Sequence, residues 1–173
     1  MGIRVAANLV VGLDGSTTYN GTSKGLSFPA DRLRFHRLRA EFQAILIGSN
    51  TAKNEPYGKT PLPLIVLSHH PLPELIKTNE RAVLWDLSLP AAITRAKQEY
   101  GDLLVEAGPK LIAAAMGWGL LTELFITISP TSPGENQIDL HEFIVGAEEI
   151  SRETIEELPG ALFLHYRLAP SHD

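Results

Sequence analysis

The sequence predicts an α/β fold with a central mixed sheet, mostly parallel and with an antiparallel C-terminal end. Short apolar runs, typical of buried strands, alternate with helix-type segments through most of the chain. The last two predicted strands have no clear helix between them, which favours antiparallel pairing at that end. With 173 residues, the chain is long enough for one domain with a substantial core, and we expect a single domain over 1–173.

The strands are predicted from apolar runs bounded by turn residues, at 3–13, 44–48, 64–67, 82–85, 103–105, 123–129 and 161–168. Helices are predicted at 31–42, at 89–100 and from Pro109 onward, with short helical turns at 51–55 and 151–157. Asp31 is a suitable N-cap for the first helix, because its carboxylate can accept from first-turn N–H groups. Leu33, Leu38 and Phe42 are its predicted inward-facing residues.

Composition narrows the range of functions. The net charge of −5 provides no basic surface for nucleic acid. No apolar run reaches the roughly 18 residues that a membrane helix needs, and the N-terminus lacks the features of a secretory signal. The absence of cysteine excludes disulfides, thiolate catalysis and cysteine-ligated metal. We therefore expect a cytoplasmic protein that acts on a small molecule, without membrane or nucleic-acid partners.

Two strand-to-helix corners are the strongest functional signal. In segment 102–118 a buried strand runs through a turn, Glu106 to Gly108, into a helix that begins with Pro109. Segment 45–51 is built in the same way. Helix N-termini of this kind present backbone N–H groups and a positive dipole end, which favour phosphate. Either corner alone could be an ordinary turn, but a dinucleotide with several phosphates would explain both.

Several residues near these corners have two interpretations. Glu106 ends a buried strand, where a carboxylate is costly unless it is bonded or functional, so it either orients the turn or contacts substrate. Asp14 shapes its own turn or takes part in the reaction, and Ser49 and Thr51 cap a short helix or contact phosphate. The chain has no G-x-G-x-x-G, Walker A or H-E-x-x-H motif, and no metal site is predicted.

Taken together, the segments over residues 4–134 resemble the reductase domain of riboflavin biosynthesis, which has the dihydrofolate-reductase fold, a three-layer sandwich. The resemblance rests on short motifs in a matching order: Leu13-Asp14-Gly15, Gly21-x-Ser23-x-Gly25-Leu26-Ser27, Leu38-Arg39-Ala40, Ile47-Gly48-x-x-Thr51, Asn54-Glu55-x-Tyr57 and Val105-Glu106-x-Gly108-Pro109. Three positions differ from the family pattern: Gly12, Ser16, and Ala107 in place of the central glycine of Glu-Gly-Gly.

The resemblance implies NADPH as hydride donor, held by Gly48, Ser49, Thr51, Ser68, Ala107, Gly108 and Pro109. It implies that substrate lies near Asn8, Gly12, Ser23, Ser27 and Tyr57, and that Glu106, Glu55 and Asp14 are the catalytic candidates, with orienting or proton-relay roles. The implied reaction reduces 5-amino-6-(5-phosphoribosylamino)uracil to its ribitylamino form in a homodimer. The alternatives are a reductase of another heterocycle, such as dihydrofolate, and a non-catalytic nucleotide-binding protein.

Overall fold

One eight-stranded sheet organises residues 2–169, the part of the chain that the computed structural model describes. Its strands are β1 (Val5–Gly12), β2 (Ala44–Gly48), β3 (Leu64–Leu67), β4 (Ala82–Trp85), β5 (Leu103–Val105), β6 (Glu123–Ser129), β7 (Glu148–Thr154) and β8 (Leu162–Arg167). Their spatial order is β4-β3-β2-β5-β1-β6-β8-β7. All pairings are parallel except those of β8 with β6 and β7, which confirms the predicted mixed sheet and its antiparallel end.

Helices cover both faces of the sheet and complete three layers. They are α1 (Pro29–Arg39), α2 (Ser49–Asn54), α3 (Pro73–Thr78), α4 (Leu89–Glu99), α5 (Pro109–Gly117) and α6 (Leu140–Phe143). The first three pack on one face of the sheet, and α4, α5 and α6 pack on the other. None of the helices within residues 2–169 combines the length and apolar character needed to cross a bilayer.

Side-chain alternation along the strands builds a separate core on each face. In β5, Leu103 and Val105 join the larger cluster beneath α4 and α5. Leu104 points the other way and packs with Leu38 and Phe42 on the α1 side. This alternation places the residue after β5, Glu106, on the same side as α1.

Helix α1 begins earlier than predicted. Pro29 is its first residue, where the fixed φ of proline suits a helix start, and Phe28 is the N-cap. Asp31 lies inside the first turn and accepts a 2.5 Å hydrogen bond from the Ser27 hydroxyl, so its assignment as N-cap was wrong. Leu33, with 51% of its surface exposed, was also wrongly predicted to face inward, whereas Leu38 and Phe42 are buried as predicted.

The helical turn predicted at 151–157 is wrong, because most of this segment belongs to β7. All seven residues of β7 are exposed, and a bulge interrupts its pairing with β8 between Glu149 and Ser151. A strand with both faces in solvent has no reason to alternate apolar and polar residues. The period-two pattern that identifies half-buried strands is therefore missing.

Candidate functional site

The two predicted corners lie next to each other at the carboxyl edge of the sheet. Strands β2 and β5 are neighbours, with Leu46 paired to Val105. After β2 the chain leaves toward the α1 face, into α2, and after β5 it leaves toward the opposite face, into α5. Adjacent parallel strands with diverging connections leave a crevice beyond their carboxyl ends, and open α/β sheets bind ligands there.

Backbone groups dominate the two corners. Gly48 is the N-cap of α2 and Gly108 the N-cap of α5, and neither helix has a side-chain cap. A Cβ atom added to Gly108 would meet nothing within 4 Å, whereas one added to Gly48 would lie 3.1 Å from Cδ1 of Leu111 in α5. The space beside Gly108 is therefore open, while Leu111 of α5 packs close to Gly48.

The remaining cofactor candidates lie along this edge. Ala107 and Pro109 flank the Gly108 corner and are half-buried, as are Ser49 and Thr51 in α2. Ser68 follows β3, the neighbour of β2, and is buried. Its hydroxyl donates to the carbonyl of His70 at 2.7 Å and accepts from the His70 N–H at 3.1 Å, so it shapes its own turn.

Glu106 is buried, with 5% of its surface exposed, and belongs to a dense network of hydrogen bonds. Arg39 of α1 donates from Nε to Oε1 at 2.8 Å and from Nη2 to Oε2 at 2.7 Å. The Tyr57 hydroxyl donates to Oε2 at 2.6 Å. Burial raises the pKa of Tyr57 well above its ordinary value, and the nearby Glu106 charge raises it further, so the phenol remains a donor.

The segment after α2 joins this network to the loop that follows β1. Glu55 accepts a 2.8 Å hydrogen bond from the backbone N–H of Ser23, which begins a short 3-10 turn. Tyr57 lies two residues further on and is 8% exposed. The buried Asn79 holds the Tyr57 carbonyl by a 2.9 Å hydrogen bond from Nδ2. The structure therefore groups Glu106, Tyr57, Glu55 and Ser23.

Asp14 and Gly12 shape the loop at the end of β1. The Asp14 carboxylate accepts from the Ser16 hydroxyl at 2.5 Å and from the backbone N–H groups of Ser16 and Gly134, both at 3.1 Å. A Cβ on Gly12 would lie 2.5 Å from Oγ of Ser16 and 2.8 Å from the Thr131 carbonyl oxygen. Close packing of the loop is therefore sufficient to require glycine at position 12.

Hydrogen bonding by Ser16, reinforced by the Gly134 N–H, lowers the pKa of Asp14 from its ordinary value to about 2. A depressed carboxyl pKa stabilises the fold above the unfolded-state pKa, and this contribution is lost as pH falls through the folded-state value. We therefore expect the stability difference between the wild type and Asp14→Asn to be constant above about pH 5 and to shrink between about pH 4 and 2. Urea unfolding at a series of pH values measures this difference, and a constant gap down to pH 2 would contradict the assigned bonds.

Within residues 2–169, two further substrate candidates make no side-chain hydrogen bond to the Glu106 network. Asn8 is half-buried in the middle of β1, opposite Phe125 of β6, and Ser27 bonds to Asp31. Among the side-chain hydrogen bonds of residues 2–169, none joins Asp14 directly to Glu106 or Glu55. The roles assigned to these residues stay predictions.

Arg39 is a site residue whose role was not predicted from the sequence, although it lies in the Leu38-Arg39-Ala40 motif. A buried carboxylate implies a cationic partner, but the chain has 15 lysines and arginines, and the partner lies 67 residues from Glu106. The sequence therefore indicates that Glu106 needs a cationic partner, but it does not indicate which lysine or arginine that partner is.

Comparison with solved structures identifies the fold. Dihydrofolate reductase from Enterococcus faecalis, complexed with NADP(H), matches with a TM-score of 0.67 at 16% identity, over 95% of each chain. A pyrimidine reductase-like protein from Corynebacterium diphtheriae matches with a TM-score of 0.75 at 16% identity, over 98% of this chain and 93% of that one. The strand order and these structural matches therefore define a three-layer α/β protein of the dihydrofolate-reductase-like class, as predicted.

The family follows from sequence. The model of the RibD C-terminal domain matches residues 4–143, and the chain belongs to that family. The riboflavin biosynthesis protein RibD of Mycobacterium tuberculosis is 29% identical over 133 residues, which cover 68% of this chain and 39% of that protein. The chain thus corresponds to well under half of the curated relative's length.

Proposed function

We propose that this chain is an NADPH-dependent reductase of 5-amino-6-(5-phosphoribosylamino)uracil, the ribosylaminouracil phosphate of riboflavin biosynthesis. One observation carries the proposal. Helices α2 and α5 each begin after a glycine N-cap and have no side-chain cap, they start side by side where the chain leaves β2 and β5 toward opposite faces of the sheet, and the space beside Gly108 is open. The α5 N-terminus fits a dinucleotide phosphate, because its first-turn N–H groups and its dipole favour an anion. The residues present therefore fit the cofactor.

In this proposal Gly48, Gly108 and the first turn of α5 hold the dinucleotide, which supplies a hydride when it is bound. Hydride added at C1′ of the ring-opened sugar, together with a proton on the attached nitrogen, converts the imine C=N bond to a ribitylamine. The protein contributes mainly positioning. Glu106 and Glu55 orient the pyrimidine or relay the proton, and Asp14 fixes the loop through its bonds to Ser16 and Gly134.

The partner and location are parts of the same proposal. We propose a homodimer, as the family resemblance implies, in the cytoplasm and without membrane or nucleic-acid partners. The edge strand β7 bears on its assembly, because this strand is charged and bulged rather than apolar. Such edges resist strand-to-strand pairing, so the proposed dimer uses another surface. Sedimentation equilibrium measures the mass in solution, and a monomer at micromolar concentration would contradict the dimer.

Gly108→Leu tests the cofactor site without threatening the fold. Gly108 has φ −68°, an ordinary value for any residue, and its added Cβ meets no protein atom. We expect the free energy of unfolding to change by less than about 0.5 kcal/mol. NADPH affinity should fall by roughly tenfold or more, because the bulky side chain keeps phosphate from the backbone.

The matched control is Gly117→Leu, at the other end of the same helix, where an added Cβ also meets nothing within 4 Å. Its NADPH affinity should equal that of the wild type. NADPH fluorescence titration of the three proteins gives the comparison. Equal affinity in the wild type and Gly108→Leu would contradict the placement of the cofactor.

Absorbance at the reduced-nicotinamide band distinguishes the candidate activities. A fall in NADPH absorbance when the ribosylaminouracil phosphate is added, but not when dihydrofolate is added, supports the proposed reaction. The reverse pattern indicates a reductase of another heterocycle. Tight NADPH binding with neither substrate reduced indicates a nucleotide-binding protein.

A further inference from the structure

Both oxygens of the Glu106 carboxylate are engaged by protein donors. Among residues 2–169, Oε2 accepts from Arg39 Nη2 at 2.7 Å and from the Tyr57 hydroxyl at 2.6 Å, whereas Oε1 accepts only from Arg39 Nε at 2.8 Å. A carboxylate offers about four acceptor positions, two on each oxygen. Both acceptor positions of Oε2 are therefore occupied, and one acceptor position of Oε1 is left for another donor.

The two donors are themselves fixed. Arg39 packs with its guanidinium carbon 4.2 Å from the ring centroid of Phe35 and 5.6 Å from that of Tyr57. Asn79 donates from Nδ2 to the Tyr57 carbonyl oxygen and, at 3.0 Å, to the Thr60 hydroxyl, which fixes the backbone at Tyr57. Buried hydrogen-bond networks of this kind hold a side chain in one orientation.

The charges facing Glu106 explain why the network is stable. Burial alone would lower the pKa of Arg39, but the hydrogen bonds and charge of Glu106 outweigh it and raise that pKa. Among residues 2–169, Tyr57 is the other titratable group that bonds to Glu106, and it remains protonated as a donor. Glu106 thus faces one permanent cation and one neutral hydroxyl.

We propose that Arg39 and Tyr57 are positioning residues of the reductase, which hold Glu106 so that Oε1 accepts one N–H or O–H group of the substrate. This inference rests on the proposed function and adds the separate positioning roles of Arg39 and Tyr57. Arg39 supplies the planar fork that fixes the carboxylate plane. Tyr57 occupies the remaining position on Oε2 and leaves the substrate a single acceptor.

Tyr57→Phe is the principal test, because it keeps the buried ring and the Arg39 fork and removes only the hydroxyl. We expect KM for the ribosylaminouracil phosphate to rise about fivefold to tenfold, as loss of one charge-assisted hydrogen bond loosens the carboxylate. The rate constant kcat should stay near the wild-type value, because the interaction is made in the bound substrate and the transition state alike. The Kd for NADPH should not change.

Two further variants complete the comparison. Arg39→Lys keeps the charge but loses the fork, so its KM should rise by roughly tenfold or more with the Kd for NADPH unchanged. Tyr166→Phe is the matched control: its hydroxyl also lies within hydrogen-bonding distance of a glutamate, Glu149 at 3.4 Å, but in the β7–β8 pair at the far side of the sheet. Its KM should equal the wild-type value.

Two outcomes would overturn the inference. One is a KM for Tyr57→Phe equal to that of Tyr166→Phe; the other is a parallel rise in KM and in the Kd for NADPH, which would indicate general loosening. Calorimetry measures the affinity for the ribosylaminouracil phosphate and gives the same comparison without turnover. If the wild type binds this compound and does not reduce it, the proposed function is contradicted, while the affinity of Tyr57→Phe still decides the inference.

Discussion

Replacing Arg39 by methionine is expected to lower the free energy of unfolding by about 3–5 kcal/mol, because it leaves a buried carboxylate without its cation. Glu106 is almost wholly buried and the Arg39 side chain is 12% exposed, so water cannot take over both hydrogen bonds. Urea unfolding of the wild type and Arg39→Met measures the loss.

A matched control and a double variant sharpen this prediction. Arg95→Met removes an exposed pair with Glu99, where the two side chains are 50% and 39% exposed, and should cost at most about 1 kcal/mol. Arg39→Met combined with Glu106→Leu should recover much of the loss, because no uncompensated charge remains. Equal losses for Arg39→Met and Arg95→Met would show that the Glu106 pair is solvated.

Gly15→Ala is expected to cost about 2–4 kcal/mol and to detach the loop after β1, by combining backbone strain with a steric clash. Gly15 has φ +83°, a region that L side chains rarely adopt, and its added Cβ would lie 2.3 Å from the carbonyl oxygen of Ile138. The Gly15 carbonyl also accepts a 2.8 Å hydrogen bond from the Ile138 N–H, which the clash would break. Thermal unfolding and hydrogen exchange in the loop measure the outcome.

Gly21→Ala separates the two causes. Gly21 has φ +80° in the same loop, but its added Cβ meets nothing within 4 Å. This control should cost only the backbone strain, about 1–2 kcal/mol. Equal costs at the two positions would mean that the contact with residues 134–138 does not hold the loop.

The loop contact also links these predictions to the site. Glu135 accepts from the Gly21 N–H at 2.9 Å and from the Thr18 hydroxyl at 3.1 Å, and Thr18 pairs with Glu135 in an isolated bridge. Through Ser23, the same loop bonds to Glu55. A detached loop should therefore weaken substrate binding in Gly15→Ala, while Gly21→Ala keeps the wild-type KM.

Local sequence alone determined most of the strands, the main helices and the two corners of this protein. Pro109 fixed the start of α5, and apolar runs marked seven of the eight strands within residues 2–169, because these signals act within a few residues. The same reasoning failed for β7, which has no buried face to impose a pattern, and for Leu33. Leu33 lies five residues from Leu38, and at about 100° per residue such a pair points about 140° apart.

Only the tertiary structure decided which side chains meet. Glu106 was recognisable from its place at the end of a buried strand, but its partners Arg39 and Tyr57 lie 67 and 49 residues away. Likewise, the contact between the Gly48 and Gly108 corners depends on β5 lying between β2 and β1. Strand order is set by how whole layers bury their apolar faces. A local pattern can therefore predict that a corner or a buried charge exists, whereas only packing of the layers brings its partner into contact.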